Sequence, residues 1–214
     1  MPRNAFSHVE HWVFDLDNTL YPPSVRLFDQ IEVRMTNYVV EALGVSHADA
    51  DRLRLEYWQK YGTTLAGLMR EHDVDPTPYL TTVHDIDMSA LQKDERLADL
   101  IGALPGRKIV YTNGTAPYAQ RVLEGRGLGA TFDAVYGVEN ADFLPKPELQ
   151  AFETVFAKDG VVSQRAAMFE DDHRNLQAPH AMGMKTVHVA DEAIDANHIH
   201  HHTDDLSAFL DRLL

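Results

Sequence analysis

Short apolar runs recur along the chain, and stretches with helical periodicity separate them. The predicted strands cover residues 12–15, 108–112, 134–137, 166–170 and 185–189. The predicted helices between and after them cover residues 94–104, 116–125, 147–158, 175–182 and 204–213. Strands that alternate with helices are typical of a parallel sheet covered on both faces. We therefore predict an α/β fold of the doubly wound, Rossmann-like type.

One long segment, residues 22–87, interrupts this alternation with helical patterning alone. Apolar residues recur there at helical spacing up to Leu43, and Gly44 is suited to end that helix. Further helices are predicted over residues 48–61 and 64–71. We expect residues 22–87 to form a small all-helical cap domain, inserted after the first strand of a core domain made of residues 1–21 and 88–214. The alternative is that these helices pack on one face of the sheet.

Two carboxylates follow the first predicted strand, in the sequence Trp12-Val-Phe-Asp-Leu-Asp-Asn-Thr-Leu-Tyr21. Side chains two residues apart in an extended chain point to the same side. Asp15 and Asp17 are therefore directed into one small space at the carboxyl end of a strand. Such a pair is unfavourable unless a cation or a shared proton offsets the repulsion. The pair thus indicates chemistry rather than a contribution to stability.

The composition excludes several other classes of protein. The chain has 214 residues, a net charge of −14 and no cysteine. The negative charge argues against binding to a nucleic acid polymer, which needs a cationic surface. There is no apolar run long enough to span a membrane and no apolar signal core near the N-terminus, so a cytoplasmic protein is expected. The sequence is silent on oligomeric state.

The second predicted strand and a later proline-flanked lysine offer groups that bind anions. Thr112, Asn113 and Gly114 supply a hydroxyl, an amide and backbone N–H groups at a strand-to-helix turn. Lys146 lies between two prolines, and Pro147 is suited to open the following helix. Each feature has a structural alternative, since Thr-Asn-Gly is a common turn and a lone lysine is usually solvated.

An acidic run, Glu170-Asp171-Asp172, follows the fourth predicted strand, and Asn175 comes three residues later. Carboxylate oxygens together with water are the ligands that Mg²⁺ prefers. The run therefore predicts a magnesium site. Asp172 has a second interpretation, in which its side chain caps the helix that follows.

Taken in order, these motifs resemble those of the haloacid dehalogenase (HAD) superfamily, in its phosphatase branch. Asp15-Leu-Asp17-Asn-Thr19 resembles the first motif, and Thr112, Lys146 and Glu170-Asp171 resemble the second, third and fourth. The first motif and its continuation to Pro22, together with Tyr61-Gly-Thr-Thr-Leu65, resemble the pyrimidine 5′-nucleotidase group. Asp172 departs from that group, in which a serine is usual.

The resemblance implies specific roles for these residues. Asp15 is the nucleophile that forms an aspartyl-phosphate, and Asp17 is the general acid and base. Thr112, Asn113 and Lys146 bind the phosphate. The Mg²⁺ cofactor is held by Asp15, the backbone carbonyl of Asp17 and Asp171, with Glu170 and Asp172 next to these ligands. Dehalogenases lack the second aspartate, so the presence of Asp17 favours chemistry at phosphorus.

The predicted activity is Mg²⁺-dependent hydrolysis of small phosphomonoesters, most notably a pyrimidine nucleoside 5′-monophosphate. Tyr61, Thr63 and Thr64 are the residues expected to select the substrate. Tyr57 and Trp58 offer rings for stacking on a base or belong to the helix core, and the core is favoured for Trp58. The alternatives are a sugar-phosphate or phosphoglycolate phosphatase, or a phosphomutase. A non-enzymatic alternative is a phospho-aspartate switch or a binding module.

Four histidines, His198, His200, His201 and His202, precede the last predicted helix. Their alternation favours a short edge strand or a surface loop. Adventitious binding of a transition metal is the alternative.

Overall fold

A six-stranded parallel sheet organises the computed structural model, which describes residues 2–214. The strands run in the order β3-β2-β1-β4-β5-β6, and every neighbouring pair is parallel. Their bounds are β1 (His11–Phe14), β2 (Arg107–Tyr111), β3 (Ala134–Tyr136), β4 (Ala166–Glu170), β5 (Lys185–Val189) and β6 (His201–Thr203). The prediction of a doubly wound parallel sheet is confirmed.

Helices connect the strands from β1 to β5, and a loop leads from β5 to β6. Short 3₁₀ turns lie at Pro23–Val25, Val138–Ala141, Ser163–Arg165 and His173–Leu176. The α-helices are α1 (Pro2–Ala5), α2 (Leu27–Leu43), α3 (His47–Tyr61), α4 (Thr64–His72), α5 (Pro76–Val83), α6 (Glu95–Ala103), α7 (Ala116–Arg126), α8 (Leu149–Asp159), α9 (Gln177–Ala181) and α10 (Leu206–Asp211).

The central strands are buried on both faces of the sheet, because apolar side chains alternate between two cores. Phe14 of β1 stacks on Phe169 of β4 with ring centroids 4.6 Å apart on one face. Val13 lies on the other face, with Tyr111 and Phe152. Continuous apolar strands of this kind fit a parallel sheet that helices cover on both sides.

Helices α2 to α5 fill the segment between β1 and the loop that leads to α6, and the described residues of this segment contain no strand. Gly44 ends α2 in the left-handed conformation, with a φ of 66°, which is common for a glycine at this position. Ser46, Thr63 and Asp75 cap the next three helices by accepting hydrogen bonds from backbone N–H groups. The division into a core domain and a cap domain at residues 22–87 remains a proposal.

Two predicted helices differ from the observed ones. Helix α8 begins at Leu149, so Pro147 does not open it and Lys146 lies in the preceding loop. The predicted helix over residues 175–182 is split into a 3₁₀ turn and the short helix α9. In both cases the residues before the α-helix form a loop or turn near the end of the sheet. Helical periodicity does not predict such loop contacts.

Candidate active site

The candidate site lies at the carboxyl ends of β1, β2 and β4, in the middle of the sheet. Asp15 directly follows β1, and its N–H donates to the carbonyl of Phe169 at 2.9 Å. Thr112 directly follows β2, while Glu170 ends β4. In doubly wound sheets, ligands bind at this edge where the strand order reverses. The topology therefore brings the predicted motif residues to one place.

Lys146 is the charged centre of this site, and only 1% of its surface is exposed. Its ammonium group donates to Asp15 Oδ1 at 2.6 Å, to Glu170 Oε2 at 2.6 Å and to the carbonyl of Tyr111 at 3.1 Å. Burial alone would lower the pKa of Lys146, but the two carboxylates raise it. The lysine therefore stays cationic between Asp15 and Glu170.

Asn113 holds the backbone of Lys146. The N–H of Lys146 donates to Asn113 Oδ1 at 2.7 Å, and Asn113 Nδ2 donates to the carbonyl of Lys146 at 3.1 Å. The sequence predicts a phosphate contact for Asn113, whereas both ends of its side-chain amide are engaged on Lys146. Its place in the site is thus to fix the loop that carries the lysine.

Thr112 is buried and contributes a hydroxyl to the cleft. Its Oγ1 accepts a hydrogen bond from the N–H of Gly114 at 2.9 Å. Because a hydroxyl is both an acceptor and a donor, its own hydrogen stays available for an anion. This arrangement is compatible with the predicted phosphate contact.

Three carboxylates converge beside the lysine. Oxygen atoms of Asp15, Glu170 and Asp171 all lie within 4.8 Å of one another. Burial and the neighbouring Glu170 raise the pKa of Asp15 to about 7, although Lys146 opposes the shift. Burial and Glu170 likewise raise the pKa of Asp171 well above its usual range. One ammonium group does not neutralise three carboxylates, two of them buried, so this all-oxygen donor set fits a hard divalent cation such as Mg²⁺.

Asp17 occupies a different environment from Asp15. The hydroxyls of Tyr21 and Tyr118 both donate to Asp17 Oδ1, each at 2.6 Å. Burial and the charge of Asp15 raise the pKa of Asp17 to about 6, while the two phenol hydrogen bonds lower it. The sequence analysis did not identify either tyrosine. Tyr21 could be noticed from its place four residues after Asp17, but only the fold brings Tyr118 to it.

The Asp172 carboxylate binds Arg174 and does not belong to the cluster of Asp15, Glu170 and Asp171. Arg174 donates to Asp172 Oδ2 from Nη2 at 2.5 Å and from Nε at 3.1 Å, and its N–H donates to Asp172 Oδ1 at 3.0 Å. Although burial raises the pKa of Asp172, Arg174 outweighs this effect and lowers it. Asp172 therefore caps the 3₁₀ turn that follows it, which is the second interpretation given above.

Arg174 connects this turn to the helical segment. Its guanidinium carbon lies 3.6 Å from the ring centroid of Trp58, and its Nη1 donates to the carbonyl of Trp58 at 3.3 Å. Trp58 is 42% exposed and lines the cleft, so its assignment to the helix core is wrong. Tyr57 is buried, which agrees with the core alternative for that residue.

A cleft of about 680 Å³ extends from the carboxylates to helices α2 to α5. Thr63 and Thr64 line it, in accord with their predicted position near a substrate. The predicted contact by Tyr61 is not supported, since the hydroxyl of Tyr61 donates to Glu71 and its ring lies beside Lys60 and Arg70. Apolar side chains form much of the remaining wall, namely Phe28, Ile31, Met35, Leu55, Leu80 and Ile194.

The histidine-rich segment forms the edge of the sheet, because His201 and His202 belong to β6 and pair with β5. His188 of β5 donates from Nε2 to the carbonyl of Asp171 at 2.9 Å. Within residues 2–214, the histidines do not form a group of three close metal-ligand atoms. The expectation of an edge strand is thus confirmed for His201 and His202.

Over the same described range, no helix combines the length and the apolar character that are needed to cross a membrane.

Comparison with known proteins agrees with the fold. The sequence model of the haloacid dehalogenase-like hydrolases matches residues 9–183. The chain therefore belongs to the haloacid dehalogenase-like hydrolase family.

Individual relatives are more distant. Phosphate metabolism protein 8 of Saccharomyces cerevisiae is 27% identical over 84% of this chain, which spans only 61% of the length of that protein. A phosphoglycolate phosphatase of Pectobacterium atrosepticum is 27% identical, over 81% of this chain and 77% of its own. The solved structure of CbbY from Rhodobacter sphaeroides in complex with phosphate has a TM-score of 0.65 at 17% identity, with 95% and 99% of the two chains covered. That last similarity shows the fold alone.

Proposed function

We propose that this hydrolase is a Mg²⁺-dependent phosphatase that acts on small phosphomonoesters through an aspartyl-phosphate on Asp15. The observation that carries the proposal is the position of the Asp15 carboxylate, 2.6 Å from the buried ammonium group of Lys146 and beside Asp171. Phosphoryl transfer depends mainly on positioning and on neutralising charge, and this site provides both.

In the proposed first half-reaction, an Asp15 oxygen attacks phosphorus while the bond from phosphorus to the ester oxygen breaks. Lys146 and the Thr112 hydroxyl bind the phosphoryl oxygens, and Asp17 gives its proton to the leaving oxygen. In the second half-reaction, the Asp17 carboxylate takes a proton from water as that water attacks the aspartyl-phosphate. Asp15 and inorganic phosphate are then released, and Asp17 is protonated again.

The proposed Mg²⁺ would be held by Asp15, Asp171 and the backbone carbonyl of Asp17. Glu170 is close enough to Asp15 and Asp171 to support them, although it also binds Lys146. When bound, the ion supplies positive charge that relieves repulsion between the carboxylates and the phosphoryl group. Asp172 is absent from this set because its carboxylate is engaged on Arg174.

We propose a pyrimidine nucleoside 5′-monophosphate as the substrate, in line with the motif resemblance. A cleft of about 680 Å³ is large enough for a nucleoside, and Trp58 with Arg174 offers flat surfaces against which a base can stack. The second candidate is phosphoglycolate, which is favoured by the name of the Pectobacterium relative. The cleft wall is largely apolar, and this favours the nucleotide over so small and polar a substrate.

The test is a screen for phosphate release from nucleotides, sugar phosphates and phosphoglycolate, each with Mg²⁺ and with EDTA. We expect release that requires Mg²⁺ and the highest kcat/KM with uridine or cytidine 5′-monophosphate. A higher kcat/KM with phosphoglycolate would replace the substrate assignment while leaving the phosphatase assignment in place. If the purified protein releases no phosphate from any compound, the function itself is wrong.

A further inference from the structure

Two tyrosines bind one oxygen of the proposed acid and base. Tyr21 and Tyr118 are far apart in the chain, and each donates a hydrogen bond from its hydroxyl to Asp17 Oδ1 at 2.6 Å. Each side chain is only 1% exposed. A carboxylate oxygen accepts and a phenol hydroxyl donates, so both tyrosines act as donors to Asp17. Asp17 Oδ1 is therefore occupied, and Oδ2 is the oxygen that remains for a ligand.

Tyr118 is itself held firmly. It lies in the first turn of α7, which Thr115 caps by accepting from the N–H of Tyr118 at 3.3 Å. Its ring stacks on His84 with centroids 4.3 Å apart and an angle of 11° between the planes. Arg121, one turn further along α7, donates to the carbonyl of His84. Helix α7 thus holds both the tyrosine and the residue against which its ring packs.

The loop before α7 leaves room for this ring. A Cβ atom added at Gly114 would lie 2.9 Å from Tyr118 Cδ1, which is closer than packed atoms approach. Gly114 also donates to the Thr112 hydroxyl. One small residue therefore serves both the anion-binding threonine and the tyrosine beside Asp17.

We propose that Tyr21 and Tyr118 are positioning residues that fix the Asp17 carboxyl group so that Oδ2 exchanges the proton with the leaving oxygen and with the attacking water. This inference rests on the proposed phosphatase function. Two hydrogen bonds to Oδ1 restrict rotation of the carboxyl group, and orientation of the proton donor is a large part of general acid catalysis. The phenols add no charge, so Asp17 can gain and lose its proton while they stay in place.

The experiment compares Tyr118→Phe, Tyr21→Phe and the double variant on an alkyl and an aryl phosphate. Expulsion of an alkyl alcohol needs a proton from Asp17, whereas p-nitrophenolate leaves without one. For the double variant we expect kcat/KM with uridine 5′-monophosphate to fall roughly 10- to 100-fold more than kcat/KM with p-nitrophenyl phosphate. A role limited to packing would lower both values by the same factor, and that result would overturn the proposal.

Tyr136→Phe is the matched control, because the Tyr136 hydroxyl also donates to an aspartate, Asp159, at 2.9 Å. We expect this variant to keep the wild-type ratio of the two kcat/KM values. A second test places Tyr118→Phe in an Asp17→Asn background, where it should change the ratio no further. If the tyrosine substitution changes the ratio in that background as it does in wild type, Tyr118 does not act through Asp17.

The outcomes also separate this inference from the proposed function. If wild type hydrolyses neither phosphate, the proposed function fails and the inference falls with it. If wild type is active and the tyrosine variants keep its substrate ratio, the inference alone is wrong. Should the double variant not fold, the single variants and the Asp17→Asn background decide the question.

Discussion

Asp15 and Asp17 follow the same strand, yet their carboxyl groups meet different partners. Asp15 lies in a charged region, where the ammonium group of Lys146 is shared with Glu170 and where Asp171 is adjacent. Asp17 lies in a neutral region, where two buried phenols donate to one oxygen. Two residues along the chain therefore separate a site built around charge from a site built around neutral hydrogen-bond donors.

The pKa values of both aspartates are raised, but the causes differ. After burial, the main cause at Asp15 is the charge of Glu170, and at Asp17 it is the charge of Asp15. A cation bound among Asp15, Glu170 and Asp171 would offset the charge of Glu170 and so lower the pKa of Asp15. The cation would lower the pKa of Asp17 less, because the Asp17 side chain does not belong to that group of oxygen atoms. With such a cation bound, this strand end would keep its nucleophile ionised and leave the neighbouring Asp17 able to carry a proton.

The largest effect should come from Asp15→Asn, which removes the proposed nucleophile and keeps its shape. We expect kcat to fall by more than about a thousandfold with every phosphate ester, since no other residue replaces a lost nucleophile. Phosphate release measures the loss, and thermal unfolding checks that the variant is folded. Activity near the wild-type level would show that the charged and neutral regions have been assigned to the wrong steps.

Lys146→Met tests the charged region through stability. Removing one partner of a buried ion pair leaves the other uncompensated, which typically costs about 3–5 kcal/mol. We expect a loss of that order in the free energy of unfolding, measured by urea denaturation in EDTA at pH 8. Lys158→Met is the control, because Lys158 is an exposed lysine whose ammonium group donates to the carbonyl of Asn140. Equal stabilities of the two variants would contradict the role of Lys146.

The neutral region predicts a specific dependence of stability on pH. Burial raises the pKa of Asp17 from about 3.8 to about 6, so the protonated form is favoured in the folded state. The stabilisation is present below about pH 4 and is lost as the pH rises through 6. In EDTA, we expect the free energy of unfolding of wild type relative to Asp17→Asn to fall by on the order of 2 kcal/mol over this range.

The free energy of unfolding of wild type relative to Asp15→Asn should decrease as the pH rises from about 4 to about 7, because the pKa of Asp15 is raised to about 7. Saturating Mg²⁺ should weaken this dependence more for Asp15 than for Asp17. Urea denaturation with and without Mg²⁺ measures both. If the free energies of unfolding of wild type and Asp17→Asn differ by the same amount at every pH, the raised pKa of Asp17 is contradicted.

The carboxylates of the charged region could be predicted from sequence, because Asp15, Glu170 and Asp171 directly follow or end strands. The carboxyl ends of parallel strands meet at one edge, so Asp15, Thr112 and Asp171 had to lie near one another once the strands were recognised. The neutral region could not be predicted in the same way. Tyr118 reaches Asp17 only through the position of α7, and periodicity carries no information about that contact.

The wall of the cleft shows a second limit. Adjacent residues of a helix point about 100° apart, so Tyr57 and Trp58 meet different surroundings. Tyr57 is buried and Trp58 is exposed to the cleft. Composition identified both aromatic residues, but the orientation of α3 decides which one lines the cleft. The same reason places Tyr61 beside Glu71 and outside the cleft lining.

Trp58→Leu should have the smallest effect and should leave both aspartates untouched. Stacking of a base on an aromatic ring is worth about 1–3 kcal/mol, so we expect KM for uridine 5′-monophosphate to rise roughly tenfold with little change in kcat. KM for p-nitrophenyl phosphate and for phosphoglycolate should stay near wild type. Tyr61→Leu is the matched control, because Tyr61 ends the same helix and does not line the cleft. An equal rise in KM for all three substrates would mean that Trp58 supports the site as a whole. The cleft wall would then not select the substrate independently of the reacting carboxylates.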